Sequence, residues 1–80
     1  MKNENERIDD WTEDFIDIMA EAVVTEGLAN KGCTSLGMLE FITAHEGFTI
    51  PDLMIMSPEE AVSKTIQRWH DWSDNERADY

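Results

Sequence analysis

The sequence has little cysteine and no long apolar run. Cys33 is the only cysteine among 80 residues, so the chain cannot form a disulfide of its own. That usage is typical of a reducing cytosol rather than of small secreted scaffolds. No apolar run approaches the ~20 residues of a membrane-spanning helix, and the polar start over residues 1–11 lacks the apolar core of a signal peptide. These absences predict a cytoplasmic protein without a membrane partner.

Basic residues are also scarce. Six Lys and Arg face 18 Asp and Glu, and the formal net charge is −12. Residues 1–30 and residues 31–80 each hold nine acids, so no basic half is hidden by the average. A small domain usually carries a net charge of about 2–8 in magnitude. Such a negative field repels nucleic acid and attracts basic proteins, so we expect a basic protein partner and no direct nucleic-acid binding.

The motifs of common enzymes are missing. There is no Gly-rich phosphate loop and no Ser/His/Asp pattern. His45 and His70 are far apart in sequence and lack zinc-site spacing, and Cys33 has no His close to it in sequence. We therefore predict no enzyme, no catalytic residue, no cofactor and no metal.

Apolar residues recur every three or four positions, and no alternating strand pattern occurs. This predicts an all-α fold, a compact bundle of four helices of which one is short. The single domain is expected over residues 9–72, with a flexible lead-in over 1–8 and a flexible acidic tail over 73–80. The first predicted helix runs from Asp9 or Asp10 to about Asn30, or ends at Gly27, and the second runs from Thr34 or Ser35 to His45. The third is a short helix capped by Thr49. The last has Ser57 as its N-cap and ends at about Trp72.

One side of each helix is predicted to face the core. Spacing alone selects these residues, because i, i+3 and i+4 positions share one helical face. The inward-facing set is Trp11, Phe15, Ile18, Met19, Ala22 and Val23 in the first helix; Leu36, Met38, Leu39, Phe41 and Ile42 in the second; Leu53 in the third; and Ala61, Val62, Thr65, Ile66, Trp69 and Trp72 in the last.

Residues 38–69 resemble the helix-turn-helix of winged-helix regulators. "MLEFITAHEGFTIPDLM" is similar to their first helix, turn and opening of the second helix, and "SPEEAVSKTIQRW" is similar to their recognition helix. The resemblance implies a helix-turn-helix-like C-terminal half and, as an alternative function, a truncated winged-helix transcription regulator. This chain is about one helical turn shorter in the second helix, and it carries Glu59 and Glu60 where the family contacts DNA.

The segment "TSLGMLEFITAHEGFTIPD" also resembles acyl carrier proteins. In that family a serine opens the second helix and carries phosphopantetheine. The resemblance implies a further alternative, an acyl-carrier-like protein that uses Ser35. Thr34 stands where the family has Asp, and the residues alone predict that Ser35 is a helix cap.

Acidic residues of the first helix fall on one side. At 100° per residue with Phe15 pointing inward, five of them lie opposite the core. They span about 16 Å at 1.5 Å rise, or one carboxylate per ~4 Å, against ~3.4 Å between charges along one DNA strand. Two interpretations stay open, a solvated face and a surface that imitates nucleic acid. The five are Asp10, Glu13, Asp14, Asp17 and Glu21.

In overall character, small, acidic and helical, the chain is similar to phage-encoded inhibitors such as anti-restriction DNA mimics and anti-CRISPR proteins. This resemblance implies a non-catalytic protein that docks a basic nucleic-acid-binding partner and blocks it, in the host cytoplasm if phage-encoded. Three tryptophans also leave a homodimer open. The predicted partner-binding residues are Asp10, Glu13, Asp14, Asp17 and Glu21, followed by Glu59, Glu60, Trp72 and Asp74.

Overall fold

The computed structural model describes residues 3–78, with side chains described as far as residue 74. Within that range the chain forms four α-helices and no strand, which confirms the predicted all-α bundle with one short helix. A 3-10 turn over Leu28–Lys31 follows α1, and a π-helical turn over Phe41–His45 continues α2. The helices are α1 (Glu4–Thr25), α2 (Ser35–Glu40), α3 (Ile50–Leu53) and α4 (Pro58–Ala78).

The first helix begins earlier than predicted. Asn3 is its N-cap, and the side-chain oxygen of Asn3 accepts a hydrogen bond from the Glu6 backbone N–H at 2.8 Å. The predicted start at Asp9 or Asp10 is therefore wrong, and the lead-in over residues 1–8 is helical from Glu4 onward. The pattern failed there because the segment is polar and offers no apolar periodicity.

The last helix ends later than predicted. It continues past Trp72 to Ala78, so the segment expected to be a flexible tail over residues 73–80 is helical as far as Ala78. Residues 1, 2, 79 and 80, on which parts of the lead-in and tail predictions fall, lie outside the described residues.

The first helix, α1, supplies the largest share of the core. The buried α1 residues are stacked one turn apart, as the predicted stripe requires, and Phe15 and Met19 are fully enclosed. Among the side chains that the structure describes, Thr65 of α4 is the one buried polar residue, and its hydroxyl donates to the Ala61 carbonyl at 2.7 Å. The buried apolar residues are Trp11, Phe15, Met19, Val23, Leu28, Met38, Ile42, Leu53, Ala61 and Val62.

Two contacts show that α1 and α4 run in the same direction. Near the start of α1, the Trp11 indole N–H donates to the carbonyl oxygen of Met56, just before α4. Beyond the end of α1, the Lys31 ammonium lies 5.6 Å from the centre of the Trp69 ring, in the second half of α4. The connection over α2 and α3 therefore returns the chain to the starting end of α1.

The predicted helix punctuation is largely confirmed. Thr49 caps α3 in a complete capping box with Asp52. The hydroxyl of Ser57 accepts from the Glu60 backbone N–H at 3.2 Å at the start of α4. Gly47, two residues beyond the predicted helix end at His45, has a positive φ of 81°, which suits a glycine that terminates a helix.

Two predicted core residues lie at the surface. Leu36 is 64% exposed and Trp72 is 36% exposed, whereas Met38 and Ile42 of the same predicted set are buried. Leu36 lies in the first turn of the six-residue helix α2. The residue of that helix that is buried in the core is Met38. Within residues 3–78, none of the helices combines the length and apolar character needed to cross a bilayer.

Candidate partner-binding surface

The acidic residues predicted for the first helix share one exposed face of α1. All five are exposed, whereas Phe15 and Met19 on the opposite side are fully buried. Because α1 is a continuous α-helix from Glu4 to Thr25, the carboxylates share one side of it, within about 100° around the helix axis. We call this set the acidic row; it consists of Asp10, Glu13, Asp14, Asp17 and Glu21.

Glu6 extends the acidic row by one turn. It lies four residues before Asp10 on α1 and is also exposed. With Glu6 the row spans about 22 Å at a rise of 1.5 Å per residue. Glu6 was not predicted as part of the row because the predicted helix began too late. The available signal was Asn3 followed three residues later by Glu6, the pattern of an N-cap.

The charge on α1 is almost entirely of one sign. The helix carries eight Asp and Glu and one cation, Arg7. At the distance of one helical turn, each carboxylate of the row has another carboxylate as its neighbour. Such a row of like charges attracts cations, and dissolved salt weakens that attraction by screening it.

The other predicted partner-binding residues lie on α4. Glu59 and Glu60 are exposed in its first turn. Trp72 and Asp74 are also exposed, and Trp72 lies about 18 Å along the helix axis from Glu60. The nine residues are therefore divided between two helices. Five form a continuous row on α1, and four are spread along a second helix.

Trp72 belongs to an aromatic cluster at the end of the π-helical turn. Phe41 and His45, at the two ends of this turn, stack with their ring centres 5.1 Å apart. The Trp72 ring lies 5.8 Å from Phe41 and 5.4 Å from His45, in the latter case edge to face. Phe41 and His45 lie four positions apart and share one side of this turn, and Trp72 of α4 contacts both of them there. Sequence periodicity gave no signal for it.

Glu46 links this cluster to α4. Its carboxylate lies 3.4 Å from the Arg68 guanidinium and 3.6 Å from His45 Nδ1. The Arg68 guanidinium also covers the Phe48 ring, with its carbon 4.8 Å from the ring centre. One of the two cations of the segment that resembles a recognition helix is therefore engaged within the chain itself.

The starts of α2 and α4 bear on the two alternative functions, the acyl-carrier-like protein and the winged-helix regulator. The cap of α2 is Thr34, whose hydroxyl accepts from the Gly37 backbone N–H at 3.0 Å, and Ser35 is the first helical residue. Ser35, predicted as a possible cap, is half-buried and is not the capping residue. The helix that precedes α4 has four residues, which agrees with the shortened second helix of the winged-helix comparison.

Cys33 lies in the connection before α2, half-buried. Burial raises the pKa of its thiol above the usual range, and the nearby Lys31 charge opposes that rise. A raised pKa leaves less thiolate at neutral pH, so this environment does not activate a nucleophile. Among the described side chains, no three His, Cys, Asp or Glu residues come together in a way that could hold a metal ion.

In comparisons with known proteins, no family model matches the chain, and no curated protein or solved structure matches it.

Proposed function

We propose that this chain is a non-catalytic acidic binding protein that docks a basic nucleic-acid-binding partner and blocks it. The observation that carries the proposal is the acidic row, five exposed carboxylates along one face of a continuous helix. Their spacing of about 4 Å along the axis is close to the spacing of charges along one DNA strand. A basic groove that accepts a nucleic-acid backbone can therefore accept this face of α1.

The stability of α1 gives a second argument. Like charges at i, i+4 destabilise a helix by about 0.2–0.5 kcal/mol per pair. Solubility needs no such alignment, because acids scattered over the surface would serve it equally well. A phage-encoded inhibitor of the anti-restriction or anti-CRISPR kind is the biological role that this combination of size, charge and helical structure favours.

The proposal is tested by reversing charges on and off the row. The immobilised protein would be used to capture basic proteins from nuclease-treated bacterial lysate, so that nucleic acid cannot bridge the two. The affinity of the purified captured protein is then measured for the wild type, for the pair Asp14→Lys and Asp17→Lys, and for a control pair. The control pair, Glu26→Lys and Glu40→Lys, changes the net charge equally at exposed positions outside the row.

We expect the row variant to lose most of its affinity at low salt and the control variant to keep most of its own. Equal affinity of the row variant and the wild type at low salt would contradict the proposal.

A further inference from the structure

A surface cleft of about 230 Å³ lies where α4 passes the end of the π-helical turn. It is lined by Glu46, Arg68, Asp71 and Trp72. Arg68 contacts the Glu46 carboxylate at 3.4 Å. Within the described part of the chain Asp71 takes part in no ion pair, so the cleft holds one more negative charge than positive. Its charge therefore favours a cation.

The indole of Trp72 forms an aromatic wall of this cleft. The ring contacts Phe41 and His45, with ring centres 5.8 and 5.4 Å away, yet 36% of the residue is exposed. A cation placed over the face of a tryptophan is attracted by the ring electrons, and the indole is the strongest of the aromatic side chains in this respect. Because neighbouring rings already fix Trp72, little side-chain freedom is lost when a partner binds.

The chain provides its own example of the chemistry. The Arg68 guanidinium is held between the Phe48 ring, 4.8 Å away, and the Glu46 carboxylate. An aromatic ring with a carboxylate beside it therefore already holds one guanidinium at the edge of the cleft. Trp72 and Asp71 are a second aromatic ring with a carboxylate beside it, and no guanidinium of the described chain is bound there.

We propose that this cleft receives an arginine side chain of the protein partner, stacked on Trp72 and paired with Asp71. The inference rests on the proposed function, since it assumes a basic partner, and it adds a second contact point away from the acidic row. Trp72 would provide specificity for a particular arginine, whereas the acidic row would provide long-range attraction that depends on charge alone.

A labelled nona-arginine peptide serves as the probe, with binding measured by fluorescence anisotropy at ~50 mM salt. Trp72→Ala should weaken binding about 2- to 30-fold, the range of a cation–π contact. Trp72→Phe, which keeps a ring, should retain at least half of the wild-type affinity. Leu36→Ala, at another exposed apolar residue, should bind like the wild type. Wild-type affinity of Trp72→Ala would overturn the proposal, and so would equal losses in Trp72→Ala and Trp72→Phe.

The charge of the cleft is tested with a matched pair. Asp71→Asn and Glu26→Gln each remove one negative charge from an exposed position. We expect Asp71→Asn to weaken peptide binding more than Glu26→Gln does. If the two are equal, the peptide responds only to net charge and the proposal is wrong.

The outcomes also separate this proposal from the proposed function. If the Asp14→Lys and Asp17→Lys variant binds the peptide normally while Trp72→Ala does not, the acidic row is excluded as the docking surface and the cleft is retained. The opposite result removes the cleft and retains the acidic row. The salt dependence of the affinity for the peptide gives an independent readout. Loss of the acidic row should make the affinity less dependent on salt, whereas loss of the indole should leave the salt dependence unchanged.

Discussion

The indole N–H of Trp11 donates a hydrogen bond to the carbonyl oxygen of Met56 at 3.2 Å. This bond joins the first half of α1 to the turn just before α4, and Trp11 also stacks on Phe15 with ring centres 5.5 Å apart. The stacking lies within α1 and orients the indole, and the bond to Met56 then constrains the rotation of α1 about its axis. Since the acidic row lies opposite Phe15, the same contacts determine that the row faces outward.

Replacing Trp11 with Phe should lower the free energy of unfolding. The variant keeps an aromatic ring, but the carbonyl of Met56 loses its donor in a partly buried position. An unsatisfied buried acceptor costs about 1–3 kcal/mol. Urea denaturation measures the loss, with Leu36→Ala as the control at an exposed apolar residue, where we expect a change within about 0.5 kcal/mol. Equal stability of the two variants would contradict the structural role of this bond.

Gly47→Ala should destabilise the chain through the backbone alone. Gly47 has a φ of 81°, and a Cβ added there would meet no atom within 4 Å. The left-handed conformation costs a residue with a Cβ about 1–2 kcal/mol. Gly47→Asn should lose less, because Asn tolerates this region better. Thermal melts of both variants test this; an unchanged midpoint for Gly47→Ala would show that the residue does not need a positive φ.

Cys33 should react slowly with iodoacetamide at neutral pH. Burial raises the pKa of the thiol, so its thiolate fraction at pH 7 is below that of an ordinary cysteine, and the rate rises only at higher pH. Lys31→Gln removes the positive charge that opposes this shift and should slow the reaction further. Mass spectrometry over time gives the rates, with glutathione as the reference. A rate above that of glutathione would contradict this description of the thiol.

Asp14→Lys should stabilise the fold at low salt. The substitution turns repulsive i−4 and i+3 neighbours, Asp10 and Asp17, into attractive pairs worth about 0.2–0.5 kcal/mol each. The gain should shrink between ~0.01 M and ~1 M NaCl as the charges are screened. Melting midpoints at the two salt concentrations measure it. A lower midpoint for Asp14→Lys at low salt would show that the acidic row does not strain the helix.

The parts of the fold that the sequence predicts are those with a local cause. The stripe around Phe15 follows from helical spacing, and the caps at Thr49 and Ser57 follow from side chains that can reach the nearby backbone. The start at Asn3 was missed because a polar first turn carries no periodic signal. Leu36 was placed inward wrongly because spacing cannot tell which side of a six-residue helix meets the core.

The acidic row and the cleft at Trp72 also differ in how far a local sequence pattern predicts them. The acidic row depends only on positions along one helix, so it could be derived from the sequence. The cleft at Trp72 depends on how α4 crosses the π-helical turn, and on Glu46 meeting Arg68 across 22 positions of sequence. No local pattern specifies that meeting.

The most direct test of the proposed function is a competition measurement. A fluorescent DNA duplex is bound to the captured basic partner, and its anisotropy is followed as this protein is added at ~50 mM salt. We predict that the wild type displaces the duplex and that the variant with Asp14→Lys and Asp17→Lys does not. If the wild type leaves the duplex on the partner, or binds the duplex itself as a winged-helix regulator would, the account is contradicted.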